Sequence, residues 1–383
     1  MEPLFYCREI DHWVVTRYAD VRQILRDPKT FSSRLTQSPI RPFPPEAIKL
    51  LQAERLNLRP ILNNADPPHH HAARHFSRNA FTPRRIKWLE PHIREIFREG
   101  IKKIRPNGRA DMVNDLFSEA SARILAIFLG ISEIDIDQVR KWSRTRTILT
   151  WGNPTEDEII SLVPEFIAYL RFCFEKVDQL EASPGDDFIS ELLANLQANP
   201  QADVDKTTVV LIFAGLLLAG HEPTTNQAAL GLYQLLSHRD QWEALSTDRS
   251  LIPNAVEEIL RFDSSNIAWR RVTTREVSIS DALIPSDAQL LLMLGSANRD
   301  ETIFNRGEHF DIHRKKPHRH LSFSHGIHYC MGAPLARLEL KIFFEELVQQ
   351  LPQLKLQAEM PISYLTNAAH RGLIQLWCEW DAT

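Results

Sequence analysis

The chain has 383 residues, and its 43% hydrophobic content is ample for a sizeable core in one large domain or in two to three average ones. The formal net charge is −4 and no block of like charges is present, so we expect no nucleic-acid partner. The four cysteines are too few and too scattered for a disulfide framework: Cys7, Cys173, Cys330 and Cys378.

The first residues indicate no secretion signal, because residues 1–10 lack the basic-then-apolar order of a signal peptide. The longest apolar run, residues 209–219, is shorter than the roughly 20 residues needed to span a bilayer. We therefore expect a reduced, soluble, cytoplasmic protein without a membrane partner. Nothing in the sequence requires more than a monomer.

The amino-terminal part begins with a strand-like stretch, residues 12–16, followed by a helical pattern over residues 19–26. Residues 34–62 are rich in proline and predict a long loop with little regular structure, a kind of segment that is usually functional or disordered. Helices are predicted to start at Pro67-Pro68 and at Thr82-Pro83, which are good start signals.

Helical periodicity dominates from there to residue 238, with breaks at 152–154, 183–185 and Asn199-Pro200. Strand-like character follows over residues 267–294, with turn signals at Ser280-Asp281 and Pro285-Ser286. The tail is predicted to be helical from Pro334 to Leu351 and extended from Leu354. The pattern indicates a single mainly helical domain, residues 1–383, with a minor β-rich part and no internal repeat.

Residues 211–236 predict one long buried helix with an interruption at residues 219–225. Pro223 has no N–H to donate to the carbonyl of Ala219, so we expect a kink there, with room for a small ligand such as dioxygen beside Gly220. Glu222 would be a costly buried carboxylate unless it relays protons or has a partner. The alternative is a simple helix defect with a solvated glutamate.

The segment 323–334, Phe-Ser-His-Gly-Ile-His-Tyr-Cys-Met-Gly-Ala-Pro, is the most informative stretch. Its glycines allow the backbone to approach a flat ligand closely. Pro334 suits the first turn of a helix, so Cys330 is predicted just before a helix N-terminus, which favours a thiolate. Two alternatives remain: a buried structural cysteine, or a zinc site built from His325, His328 and Cys330, which would lack a fourth ligand.

This loop resembles the haem-ligand signature of the cytochromes P450, with its fixed positions filled by Phe323, Gly326, His328, Cys330 and Gly332. The resemblance implies a cytochrome P450 fold that holds haem b between the long central helix and the helix after the cysteine loop. Cys330 would be the iron ligand, Phe323 would pack beside the thiolate, and His328 would meet a haem propionate. Gly332 would lie against the cofactor.

Two further motifs resemble propionate-binding motifs of that family. Residues 66–74 place His70 and Arg74 one helical turn apart, and two cations on one face suit carboxylates. The three consecutive histidines of this segment point in different directions along a helix, so they cannot chelate one metal together. Arg271 resembles another propionate ligand, although Arg270 beside it leaves the register open.

The pair Glu258 and Arg261 lies three residues apart on one predicted helical face. By itself such a pair is usually a solvated surface contact. It resembles the Glu-x-x-Arg motif of the cytochromes P450, which supports the fold around the haem. The resemblance implies a third partner, which we expect within residues 305–310.

The resemblance implies a monooxygenase that inserts one atom of O2 into an organic substrate. Pro223 stands where the family has its oxygen-activating threonine, and we predict that Glu222 and Thr224 deliver the protons. Electrons would come from a separate ferredoxin or flavodoxin with its reductase, because no flavin or nicotinamide module is fused. Arg337 and Lys341 could steer such acidic partners, or could simply be solvated.

The predicted substrate pocket is mainly apolar, which indicates a small, largely apolar substrate. Besides the loop 34–62, its predicted lining residues are Phe213, Ala214, Leu217, Leu218, Ile267, Ala268, Trp269 and Arg371. Arg371 could bind a carboxylate or turn to solvent. Two rival functions stay open: an atypical haem-thiolate enzyme that catalyses coupling, isomerisation or peroxide-driven oxidation, and a non-catalytic haem protein.

Overall fold

The computed structural model describes residues 2–56, 58–78, 81–131, 136–199, 203–358 and 360–382. Helices dominate, as the periodicity predicts. In chain order they are α1 Tyr18–Arg26, α2 Pro45–Ala53, α3 His69–Arg78, α4 Pro83–Ile104, α5 Ser118–Leu129, α6 Ile136–Trp151, α7 Glu156–Ala182, α8 Phe188–Ala198, α9 Lys206–Ala219, α10 Glu222–Ser237, α11 Arg239–Thr247, α12 Ile252–Phe262, α13 Leu294–Ala297 and α14 Ala333–Gln350.

The strands form a smaller part of the molecule. They are β1 Leu4–Cys7, β2 His12–Val15, β3 Phe31–Ser32, β4 Arg109–Asp111, β5 Trp269–Thr273, β6 Val277–Ile279, β7 Ala282–Ile284, β8 Gln289–Leu292, β9 Lys355–Leu356 and β10 Trp377–Glu379. The largest sheet has the order β1-β2-β8-β5-β3, in which only the β2–β8 pair is parallel. A second sheet has the order β4-β10-β9, and β6 pairs with β7 alone.

Several predicted boundaries coincide with observed ones for local reasons. Thr82 caps α4 by accepting a hydrogen bond from the backbone N–H of Arg85 at 3.2 Å. The predicted turn Ser280-Asp281 joins β6 to β7 with both residues at positive φ, which suits the tight turn of a hairpin. The predicted break after Asn199 is also observed, although Pro200 lies outside the described residues.

The prediction that residues 34–62 form an irregular loop is wrong for its middle part. Pro45 begins α2, a helix that runs to Ala53 and packs against α7 through the buried side chain of Ala47. Proline is accepted at this first helical position because its missing N–H would have no partner there. The loop prediction counted the prolines as helix breakers, whereas Pro44-Pro45 is a start signal.

The long central helix is interrupted as predicted, with α9 ending at Ala219 and α10 beginning at Glu222. By length and composition alone, Lys206–Ser237 could cross a membrane. In the structure it belongs to the main apolar core, where residues such as Ile212, Phe213 and Leu230 have no accessible surface. A helix that is apolar on nearly all sides is expected at such a position.

The pair Glu258 and Arg261 on α12 is fully buried, with bidentate contacts of 2.7 Å between the guanidinium and the carboxylate. The charged third partner is Arg314, whose Nε lies 2.9 Å from Glu258 Oε2. The prediction that residues 305–310 contain the third side-chain partner is therefore wrong. That segment instead supplies carbonyl groups, which accept hydrogen bonds from Arg261 and Arg314.

Candidate active site

The cysteine loop is shaped by a tight backbone turn ahead of α14. The backbone N–H of Cys330 donates to the carbonyl of Phe323 at 2.9 Å. Gly326 adopts a φ of +70°, and a Cβ at this position would lie 2.5 Å from the carbonyl oxygen of Leu25. Only glycine fits there without displacing the neighbouring backbone. The loop therefore presents Cys330 in one defined position against α1.

The Cys330 side chain is accessible, although the loop around it is packed. The N–H groups of Gly332 and Ala333 and the charge of Arg74 lower the pKa of its thiol, but burial has the larger effect and raises it overall. The N–H groups at the helix start therefore favour the thiolate, as the sequence predicts, although the effect of burial is larger. A coordinated metal cation would deprotonate the thiol outright.

Phe323 lies under a basic side chain rather than in open solvent. The guanidinium carbon of Arg337 is 4.6 Å from the centre of the Phe323 ring, and Arg337 also donates to Glu257. Lys341 lies 3.6 Å from Glu345. Both basic residues predicted to steer an electron donor are therefore already paired with carboxylates of the chain itself.

The four predicted propionate ligands, His70, Arg74, Arg271 and His328, lie close to one another. The ring centres of His70 and His328 are 4.2 Å apart, and Arg74 Nη2 donates to the carbonyl of Tyr329 at 2.6 Å. His328 Nε2 lies 2.9 Å from Ser33 Oγ. In the described part of the chain, none of these basic groups has a carboxylate within ion-pairing distance, and the same is true of Arg271.

The basic groups of this cluster have an environment that suits a bound anion. Both ring nitrogens of His70 and Nη2 of Arg271 are buried without a hydrogen-bond partner. Burial and neighbouring positive charges lower the pKa of His70 to about 4, and burial lowers the pKa of Arg271 to about 10. Buried polar atoms without partners are costly, so a ligand that carries carboxylates fits this cluster. The two propionates of haem b meet that requirement, with Cys330 beside them as a sulfur ligand.

The central helix shows an accessible stripe within an otherwise buried element. Accessible surface is kept by Gly215, Leu216, Leu218, Ala219 and Gly220, and after the break by Glu222 and Pro223. This spacing places them on one broad side of the helix. A Cβ at Gly215 would meet nothing within 4 Å, so this side of the helix faces open space.

Three of the four predicted lining residues on this helix point elsewhere. Phe213 and Leu217 have no accessible surface, and Ala214 has only 6%. All three belong to the main core cluster, and the ring centre of Phe213 lies 6.3 Å from that of Phe172. Their prediction as pocket residues is wrong, whereas Leu218 lies on the accessible stripe.

At the helix break, Glu222 is largely buried; no cation among the described residues forms an ion pair with it, although the charge of Arg144 partly offsets the effect of burial on its pKa. Its Oε2 accepts a hydrogen bond from Thr147 Oγ1 at 3.0 Å, and burial raises its pKa. Thr224 is buried and lies about 100° around the helix axis from Pro223, away from the accessible stripe. The structure therefore does not place Thr224 as the predicted proton donor, while Glu222 keeps a suitable position.

Of the remaining predicted substrate contacts, some keep accessible surface and others are buried or already paired. Ile267 and Trp269 keep accessible surface, but Ala268 has none. Arg371 Nε donates to Asp263 Oδ1 at 2.7 Å, and its guanidinium carbon lies 3.9 Å from the centre of the Tyr364 ring. Arg371 thus has its own carboxylate, which removes the reason for assigning it a substrate carboxylate.

Sequence reasoning did not identify Arg146, which lies inside the molecule next to Thr147. A signal was present: Val139, Trp142, Arg146 and Leu149 follow helical spacing, so an arginine interrupts the apolar face of α6. Its partners include Gln37 of the proline-rich segment. The sequence alone offered no way to tell whether this face met protein or a cavity.

The zinc alternative has no support, because no cluster of three or more potential metal ligands occurs among the described residues. Instead, one accessible cysteine lies at a helix start beside a cluster of arginine and histidine side chains, within a mainly helical fold. These features define a haem-thiolate protein.

A family model described as "Cytochrome P450" matches residues 5–367, so the chain belongs to the cytochrome P450 family. It is 32% identical over 375 residues to mycinamicin IV hydroxylase/epoxidase of Micromonospora griseorubida, covering 96% of this chain and 89% of that one. The crystal structure of the Acinetobacter radioresistens CYP116B5 heme domain has a TM-score of 0.95 at 33% identity, covering 99% and 92% of the two chains. The chain is a haem-thiolate monooxygenase with haem b as its cofactor, and the two rival functions are not favoured.

The comparisons leave the type of electron donor open. An intact type IV self-sufficient cytochrome P450 monooxygenase has a TM-score of 0.94 at 35% identity. All of this chain aligns with it, but the aligned part is only 50% of that protein. The family implies that this chain has a redox partner, but it does not identify that partner.

Proposed function

We propose that this chain, acting as one domain, inserts one atom of O2 into a small organic substrate held between Cys330 and the central helix. The observation that carries this proposal is the accessible Cys330 side chain beside a cluster of basic side chains that have no carboxylate partner among the described residues. Bound haem supplies reductive activation of O2, and the protein supplies the thiolate, proton delivery and substrate placement. His70, Arg74, Arg271 and His328 would hold the propionates, with Phe323 and Gly332 beside the cofactor.

Glu222 is proposed as the group that holds and transfers a proton at the helix break. Its raised pKa makes the protonated form available closer to neutral pH, as general acid catalysis requires. Thr147 positions the carboxyl group through its hydrogen bond. Ile267, Trp269 and Leu218 are proposed to contact the substrate because each keeps accessible surface near this region.

The electron donor is proposed to be a separate ferredoxin or flavodoxin with its reductase. A cytoplasmic location and a monomeric state remain predictions from the sequence. Reconstitution of turnover with each type of donor would identify the one that this protein accepts.

The central test uses the reduced protein treated with carbon monoxide. The wild-type protein should show a thiolate-type absorption band, Cys330→Ala should lose it, and Cys7→Ala should keep it. With a bound substrate, labelled oxygen gas should place one labelled atom in the product. A band that survives Cys330→Ala, or a product without label, would contradict the proposal.

A further inference from the structure

Arg146 is held inside the protein by polar contacts on one edge of its guanidinium group. Its Nε donates to Thr150 Oγ1 at 3.0 Å, and its Nη2 donates to Gln37 Oε1 at 2.8 Å. The guanidinium carbon lies 5.6 Å from the centre of the Phe166 ring. These contacts fix the orientation of the side chain without neutralising its charge.

No carboxylate in the described ranges lies within ion-pairing distance of Arg146. Burial lowers its pKa, yet an arginine remains charged in proteins. Nη1 makes no hydrogen bond to a described residue and is not among the fully covered polar atoms. A deep cation without a counterion is costly, so this arrangement requires a reason.

Other buried arginines of this protein have partners or belong to the cluster beside Cys330. Arg261 is paired with Glu258, and Arg270 donates to the carbonyls of Thr36 and Ser38. Arg271 is one of the proposed propionate ligands. Arg146 belongs to neither group, and it keeps more accessible surface than these three arginines.

The neighbours of Arg146 place it near the central helix. The next residue, Thr147, donates to Glu222 at the helix break. Tyr169, which is near enough to interact electrostatically with Arg146, donates from its hydroxyl to the carbonyl of Ala214. Ala214 directly precedes Gly215, where open space adjoins α9. Arg146 therefore lies close to the accessible stripe through its neighbours on two sides.

We propose that Arg146 binds an oxyanion of the substrate, so that the natural substrate is an organic acid carrying a carboxylate or a phosphate ester. The proposal rests on the proposed function and specifies its substrate class. Nη1 makes this contact, and the side-chain amide of Gln37 supplies a second donor. The apolar remainder of the molecule then lies along Gly215 and Leu218. Arginine suits such a site because its planar group can bind two oxygens at once.

The first experiment needs no variant. Straight-chain alkanoates and alkyl phosphates of increasing length are titrated into the haem-loaded protein, each beside its methyl ester or alcohol, and affinities are measured optically and by calorimetry. At least one anion series should bind about 10- to 100-fold more tightly than its neutral counterpart, as expected for hydrogen bonds to a charged group. The favoured series distinguishes carboxylate from phosphate. Equal affinities, tighter neutral ligands, or no binding by any anion would overturn the proposal.

The second experiment assigns the preference to Arg146. Arg146→Gln should remove the anion preference while changing the affinities of neutral ligands by less than about threefold, and Arg146→Lys should keep part of it. Lys141→Gln is the matched control, because Lys141 is on the same helix but is exposed and paired with Glu165. An anion preference that persists in Arg146→Gln would place the anion site elsewhere.

The two proposals fail in different ways. If the thiolate band with carbon monoxide is absent from the wild-type protein, the proposed function fails. If the band is present in the wild type and in Arg146→Gln but the charge preference is absent, only the assignment of Arg146 fails.

Discussion

Pro223 keeps accessible surface on the same side of the central helix as Ala219, one turn later. It lies in the first turn of α10, where a missing N–H leaves no intrahelical hydrogen bond unmade. The helix therefore tolerates proline well at this position. The consequence is chemical, because no hydroxyl is present where the cytochrome P450 motif carries threonine. The buried Thr224 does not replace that hydroxyl.

We expect Pro223→Thr to increase the fraction of consumed electrons that appears in product, roughly severalfold, because it restores a hydroxyl on the cavity side. Product formed per reduced nicotinamide consumed is the measurement. Thr224→Val is the control and should leave this ratio unchanged. A decrease in Thr224→Val with no response in Pro223→Thr would restore Thr224 as the proton-delivering residue.

At the scale of elements, the cysteine loop and α9 each contain a glycine, but the two glycines have opposite surroundings. Gly326 has a positive φ and touches the backbone of Leu25, so the loop cannot accept a side chain there. Gly215 lies within a regular helix beside open space, where glycine weakens the helix and nothing crowds it. The first glycine shapes the ligand loop, and the second leaves room in the cavity.

Alanine substitutions should separate these two glycines. Gly326→Ala is expected to lower the free energy of unfolding by about 2 kcal/mol or more and to weaken haem retention, because of backbone strain and the clash with Leu25. Gly215→Ala should raise the free energy of unfolding by up to about 1 kcal/mol. Denaturant titration measures both, and a similar effect of the two substitutions would contradict this account.

At the scale of the whole molecule, the network around Glu258 joins α12 to the long irregular segment before the cysteine loop. Glu258 has no accessible surface and is held by Arg261 and Arg314, which in turn bind carbonyl groups of that segment. A buried carboxylate of this kind is stable only with its partners in place. The network thus sets the path of the chain between the helical core and the cysteine loop.

Arg314→Ala should lower the free energy of unfolding by about 3 to 5 kcal/mol, because it removes a partner of a fully buried carboxylate. Arg123→Ala serves as the control: its ion pair with Glu99 is exposed, and its loss should cost less than about 1 kcal/mol. Chemical denaturation of both variants measures the difference. Comparable losses in the two would show that burial of the network does not determine its strength.

The sequence by itself determined the chemical class of this protein and the order of most elements. The ligand loop lies within residues 323–334, and helix starts such as Thr82-Pro83 depend on neighbouring residues, so both are local properties that a sequence displays directly. The break just before Pro223 was likewise predictable, because proline is accepted in the first turn of a helix but not in its interior.

Only the tertiary structure decided which side chains face the cavity. Phe213 and Leu218 look equally apolar in the sequence, and Arg146 and Arg371 look equally able to bind an anion. Their roles differ because Phe213 packs against α7, while Arg371 is paired with Asp263 and Arg146 with no carboxylate in the described ranges. Helical spacing shows which residues share a face, but the packing of distant segments decides whether that face meets protein or open space.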